Sequence, residues 1–135
     1  MIDTINLIDE DPQVMPQVPS ETVLLQEIDE QIDEYLRNIT NYRSELNFLS
    51  QMMKIPTVKI DTNRELNYYE VKCSLSFECI YLNKKMVYFQ GTSIHSYYED
   101  SLQASCSKLS KKIYISIPEM WKDFSKLKQK KAIVT

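Results

Sequence analysis

The chain contains one glycine, Gly91, among 135 residues. Loops that cradle phosphates and tight catalytic elbows need several, because glycine lets the backbone approach a ligand closely at positive φ. A nucleotide-binding loop is all but excluded by that scarcity. Histidine is as rare. His95 stands alone, which leaves little material for histidine-based acid–base catalysis or a histidine-rich metal site. The three cysteines, Cys73, Cys79 and Cys106, form an odd set without metal-like spacing. They read as free thiols in a reducing compartment. No apolar run approaches the roughly 20 residues that span a membrane. The opening, Met1-Ile2-Asp3-Thr4-Ile5, lacks the basic stretch and continuous apolar core of a secretory leader. An intracellular location, in cytoplasm or nucleus, is therefore expected.

No catalytic constellation emerges either. The thiols, His95 and Asp100 have no characteristic spacing. The acid pairs Asp29/Glu30 and Asp33/Glu34 read as the solvated face of a helix, where no cleft would set them to work. The expectation is a protein that is not an enzyme, with no cofactor and no metal.

What the chain does have is charge asymmetry and apolar periodicity. Residues 1–20 carry Asp3, Asp9, Glu10 and Asp11 and no basic residue. Residues 107–135 carry eight lysines against Glu119 and Asp123. The chain runs from acidic to basic. Its end, with Lys122, Lys126, Lys128, Lys130 and Lys131, offers a patch for an acidic partner.

The periodicity is strongest between Leu25 and Met53. Leu25, Ile28, Ile32, Tyr35, Ile39, Tyr42, Leu46, Leu49 and Met53 alternate spacings of three and four, with no Gly or Pro between them. That is a heptad pattern over about four heptads. Ser20 suits an N-cap, and Ile55-Pro56 ends the run. The pattern predicts one helix over 21–55, a rod of roughly 50 Å at 1.5 Å per residue. Its stripe, Leu25, Ile28, Ile32, Tyr35, Ile39, Tyr42, Leu46 and Leu49, is the expected helix-pairing interface. The part up to Ile39 is expected to pair with another helix. The part from Phe48 to Met53 is expected also to pack on the protein's own sheet.

Residues 1–20, with Pro12, Pro16 and Pro19, read as a flexible acidic tail. After Pro56 the period changes to two. Val58 to Ile60 reads as a short strand and Asp61 to Arg64 as a turn. Tyr69, Val71, Cys73, Leu75, Phe77, Cys79 and Tyr81 alternate with polar residues, which predicts a long antiparallel strand, bent or bulged near Ser74–Ser76, with one buried face. Leu82 to Lys85 is a turn in which Asn83 suits positive φ, Met86 to Phe89 a returning strand, and Gln90 to Ser93 the end of the sheet. Ser96 caps a helix over Tyr97–Ile113. A short extended link follows, and Pro118 opens a last helix with Met120, Trp121, Phe124 and Leu127 on its inner face.

The fold class expected is thus α+β: a long N-terminal coiled-coil-like helix, a small antiparallel sheet, and two C-terminal helices. The divisions are a tail over 1–20, the heptad helix over 21–55, a small α+β domain over 56–131, and a tail over 132–135.

Two resemblances accompany this. Phe77-Glu78-Cys79-Ile80-Tyr81-Leu82-Asn83-Lys84-Lys85, then Gly91-Thr92-Ser93 and a helix with Gln103-Ala104-Ser105-Cys106, resembles the strand, turn, strand and C-terminal helix of double-stranded RNA-binding domains. In that family the helix opens with lysines that grip phosphates. Here it opens Ser96-Tyr97-Tyr98-Glu99-Asp100, whose two acids would repel a phosphate backbone. Separately, a heptad rod before a compact α+β domain resembles, in layout only, the RWD-type subunits of kinetochore and monopolin-like assemblies. The function expected is a non-enzymatic scaffold subunit. It would oligomerise through the rod, as a homodimer or in a hetero-complex, and dock a protein partner through the α+β domain. The alternative is nucleic-acid binding through a degenerate RNA-binding-like domain or the basic C-terminal helix.

Overall fold

A computed structural model describes residues 17–134, with side chains placed for 27–130. The element order is α1 (Gln17–Arg37), α2 (Tyr42–Met53), β1 (Lys59–Arg64), β2 (Tyr69–Cys79), a 3₁₀ turn (Ile80–Leu82), β3 (Lys85–His95), α3 (Tyr98–Ser116) and α4 (Pro118–Val134). The chain divides into two units, residues 1–34 and 35–135. Of the first, residues 17–34 are helical. The tail expected over 1–20 lies mostly outside the described residues, and its last four belong to α1.

There is no single long rod. The heptad stretch is two separate helices, broken over residues 38–41. The break has local causes. Asn38 and Ile39 donate their N–H groups to the carbonyls of Tyr35 and Leu36, closing α1 with tight i to i−3 turns. Asn41 then takes extended backbone angles, and its Oδ1 accepts from the Ser44 N–H at 3.0 Å, a side-chain N-cap for α2. The Tyr42 N–H, unsatisfied within its own helix, donates to Gln103 Oε1 at 2.7 Å. The Tyr42 hydroxyl donates back to the Leu36 carbonyl at 2.8 Å. Asn41→Ala should therefore lower stability by about 1 kcal/mol in urea unfolding.

The correction reaches the function read from the rod. A coiled coil needs a continuous a/d seam, and the seam is interrupted at Ile39. Beyond the break its residues are used internally. Leu46 and Leu49 are buried, and Tyr35, Ile39 and Tyr42 are half-buried. On α1, Ile28 is half-buried and Ile32 buried, while the side chain of Leu25 lies outside the described ones. Oligomerisation through a heptad helix, the coiled-coil assignment and the RWD-like layout fall with the rod.

The sheet is antiparallel, three-stranded, in the order β1-β2-β3. Val71, Cys73, Leu75, Phe77 and Cys79 of β2 are buried, while Lys72, Ser76 and Glu78 are exposed, so the period-2 alternation holds except at Ser74, which is also buried. The register runs from Tyr69↔His95 to Cys79↔Lys85 without a skipped residue, so the expected bulge is absent. Both flanking strands exceed their predicted lengths. β1 takes in Asp61–Arg64, which looked like a turn. β3 runs on through Gly91 to His95. Asn83 and Lys84 turn the chain at φ 56° and 60°.

α3 is the central element. One side lies on β2 and β3, and α2 and α4 pack on it as well. At the end of α2, Phe48 meets Phe124 of α4 edge to face at 5.7 Å, and Met53 shares a cavity wall with Phe77 and Cys79 of β2. Three buried serines on α3 keep their hydroxyls satisfied. Ser101 Oγ lies 2.9 Å from the Tyr69 carbonyl and 2.7 Å from that of Ser93, and its one proton is shared between them. Ser105 and Ser110 donate to the carbonyls of Leu102 and Cys106 on their own helix. At the free edge of β3, Lys108 and Lys112 donate to the carbonyls of Thr92 and Gln90 at 3.0 and 2.6 Å. An open strand edge is a pairing hazard, and these lysines occupy part of it. α3 also runs three residues past Ile113, so that Ile117 alone separates it from Pro118. Met120, Trp121 and Phe124 of α4 are buried as predicted. Leu127 is partly exposed.

Candidate functional site

The site is a groove where the end of α2, the 3₁₀ turn and α4 meet. α2 stops because Lys54 takes the left-handed conformation, φ 58° and ψ 46°, while its N–H donates to the Ser50 carbonyl. The Ile55 N–H donates to the same carbonyl, and Ser50 Oγ donates to the Pro56 carbonyl at 3.0 Å. This pins the exit of the helix and turns Met52 and Met53 toward α4. Two adjoining cavities result, of about 460 and about 100 Å³, which share Met53, Lys54 and Tyr81 in their walls. Met52 and Leu127 complete the apolar floor of the larger one. Phe77, Ile80 and Met120 line the smaller.

The rim is charged. Lys54, Lys126 and Lys130 border the larger cavity and are exposed. Asp123 is the one carboxylate beside them, and it accepts from the Tyr81 hydroxyl at 2.5 Å. Burial and that carboxylate push the Tyr81 hydroxyl well above the ordinary phenol range. Around the larger cavity three ammonium groups against one carboxylate, which already accepts a hydrogen bond, leave the rim basic, while exposed Glu78 borders the smaller one. Methionine floors suit variable apolar partners, since the side chain is flexible and polarizable.

The lysines of the predicted acidic-partner patch do not all face one side. Lys122, Lys126 and Lys130 recur every fourth residue and are exposed along one side of α4. Lys128, two residues out of phase, turns inward, and the side chain of Lys131 lies outside the described ones. Lys128 Nζ donates to Glu45 Oε1 at 2.6 Å and to the Tyr35 hydroxyl at 2.8 Å. Glu45 is buried and also accepts from the hydroxyls of Tyr35 at 2.5 Å and Tyr114 at 2.7 Å. Nζ sits 4.9 Å from the Tyr35 ring centre, a cation–π contact. Burial, reinforced by Glu45, holds both phenols far above their usual range. This cluster is a structural tie between α2, α3 and α4. The sequence carries one signal for it: Glu45 is the sole acid between Glu34 and Asp61.

The thiols are also interior. Cys73 Sγ lies 3.4 Å from Cys106 Sγ and 3.1 Å from Ser105 Oγ, and all three cysteines are free and buried. The hydrogen bond between Cys73 and Cys106 draws the Cys73 thiol down and, with burial, pushes Cys106 up. Among the described residues no group of three or more His, Cys, Asp or Glu is placed to hold a metal ion. Nor is any described helix long and apolar enough to cross a membrane.

The strand, turn, strand and helix implied by the RNA-binding-domain resemblance are present as β2, the 3₁₀ turn, β3 and α3. The helix nevertheless opens on exposed Glu99 and Asp100. Compared with known protein families, with curated proteins and with solved structures, the chain matches none.

Proposed function

We propose that this chain is a non-catalytic recognition domain that takes an acidic, amphipathic segment of a partner protein into the methionine-floored groove. The observation that carries this reading is the triangle of Lys54, Lys126 and Lys130 around an apolar floor. A helical segment with carboxylates four residues apart would match Lys126 and Lys130, which share that spacing. Its apolar side would cover Met52, Met53 and Leu127. Nucleic acid is a poorer fit. The floor is aliphatic and thioether, no arginine lines it, and Tyr81 has its hydroxyl engaged by Asp123. The reading requires no helix pairing.

The test is fluorescence anisotropy with a labelled helical peptide carrying Glu and Leu at alternating i and i+4 positions. Binding is expected and should weaken as salt rises. Charge reversal at two rim positions, Lys126→Glu with Lys130→Glu, should weaken it by about tenfold or more. Lys54→Gly separates recognition from folding. Glycine relieves the left-handed strain and should add about 0.5–1 kcal/mol of stability. It also removes a rim charge, so the same variant should bind less tightly. Equal binding by the charge-reversed variant would sink the reading. So would a nucleic-acid duplex that outcompetes the peptide at the same lysines.

A further inference from the structure

A second surface lies at the opposite end of the sheet. There the β1–β2 loop, the end of β3 and the start of α3 come together, because Arg64, Tyr69 and His95 share one level of the ladder. The loop closes when the Glu65 N–H donates to the Tyr68 carbonyl at 2.9 Å. Turn tips favour Gly, Asn and Asp for conformational reasons. This one carries Leu66, which is 95% exposed, and Tyr68. Beside it stand Tyr97 and Tyr98, with Tyr97 72% exposed, while Ile94, paired with Glu70, is exposed on the sheet face away from α3. Five of the exposed large apolar side chains of the described residues therefore gather at one end of one sheet. Apolar exposure concentrated in this way marks contact surfaces.

The surface is also preassembled. Ser101, fully buried, bridges the carbonyls of Tyr69 and Ser93, locking the first turn of α3 to the ends of β2 and β3. The Tyr69 and Tyr98 rings meet edge to face at 5.9 Å, and the Arg64 guanidinium covers the Tyr69 ring at 5.8 Å. A surface already ordered loses little freedom when it binds. Its rim is acidic: Glu65, Glu99 and Asp100 are exposed, against Arg64, which is engaged on Tyr69.

We infer that this end docks a basic segment of a partner protein, in which arginine or lysine alternates with aliphatic residues. The carboxylates attract the cations, the tyrosine faces accept guanidinium groups, and Leu66 covers the aliphatic residues. A phosphate backbone would meet three carboxylates instead. This surface shares no residue with the groove at the other end of β2, so the inference stands apart from the proposed function.

The experiment is an isotope-labelled full chain titrated by NMR with a peptide of alternating Arg and Leu, and separately with double-stranded RNA. With the peptide, shifts are expected to concentrate in residues 64–68 and 94–100. The paired exposed-site variant Leu66→Ser, Tyr97→Ser should weaken binding by about tenfold or more, while Lys126→Glu with Lys130→Glu should leave it unchanged. Three results would overturn the inference: no binding at low salt, shifts centred on the acidic residues 27–34 of α1, or RNA binding at residues 64–68 and 94–100. Insensitivity to the Leu66 and Tyr97 changes would also overturn it, since only diffuse charge attraction would then remain.

Discussion

Glu45→Ala is expected to lower stability by about 3 kcal/mol, or roughly 10–15 °C in melting temperature. The size follows from what the carboxylate holds. It is buried, and it accepts from two phenols and an ammonium group. Without it, Lys128 can turn outward, because a third of its side chain already reaches solvent. Tyr114 has no such exit. It is fully buried, and its hydroxyl would lose the partner it has here. A buried donor without a partner costs about 1–3 kcal/mol. Lys128→Met should be milder, about 1–2 kcal/mol, because the carboxylate keeps both phenols. Urea unfolding of the two single variants and the double variant gives the coupling directly. A Glu45→Ala loss no larger than that of Lys128→Met would refute the ranking.

The same cluster sets an alkaline limit. Tyr35 and Tyr114 have folded-state values above the ordinary phenol value near 10. The folded state therefore binds their protons more firmly than the unfolded chain does. Their contribution is complete below about pH 10 and is lost as pH rises beyond it. Unfolding followed against pH by tyrosinate absorbance should show this loss, reduced in Tyr114→Phe.

Some of this architecture was legible because one residue pattern had one physical meaning. The alternation from Tyr69 to Cys79 could only be a strand buried on one face. Pro118 could only begin a helix, and Asn83 suited positive φ. The helix break is hidden in the sequence because apolar spacing carries across it. Tyr35, Ile39 and Tyr42 keep intervals of four and three although Ile39 lies in the connection. The signal was in the polar residues, where Asn38, Thr40 and Asn41 favour caps and turns over helix interiors. The edge strands run past their legible ends: in β3 the apolar residues give way after Phe89 to Gln90-Gly91-Thr92-Ser93, and β1 beyond Ile60 is polar on both faces. β1 has exposed Asp61, Thr62 and Asn63, and alternation cannot appear where little is buried. Lys128 looked like its neighbours, since one-dimensional charge clustering ignores the 100° that each helical residue turns. The groove drew on Met52, Met53 and Tyr81, residues distant in sequence from the lysines that rim it.

Gly91→Ala is the companion test, because the glycine, whose sequence context marks the end of the sheet, proves to be its point of closest contact with α3. Its φ is not positive, so no turn requires it. A Cβ there would lie 2.4 Å from the Ser105 carbonyl oxygen and 2.8 Å from the Leu109 nitrogen. Both are backbone atoms of α3, and no side-chain rotation can move them aside. The helix would have to lift from the sheet. Ser101 clamps its first turn, and Lys108 and Lys112 tie its outer side to β3. Lifting also disturbs the contacts of Cys73, Gly91's partner across the ladder, with Ser105 and Cys106. Alanine gains about 0.5–1 kcal/mol over glycine in a strand, but overpacking of this kind costs up to about 3 kcal/mol. The net loss should be about 2 kcal/mol, and Gly91→Val should lose more. Adding Ser105→Ala to Gly91→Ala discriminates the cause. If the obstruction is the carbonyl, removing the serine hydroxyl restores nothing, and hydrogen exchange in α3 stays as fast as in the single variant. Recovery in the double variant would place the clash on the side chain and overturn the account of why this chain keeps its one glycine.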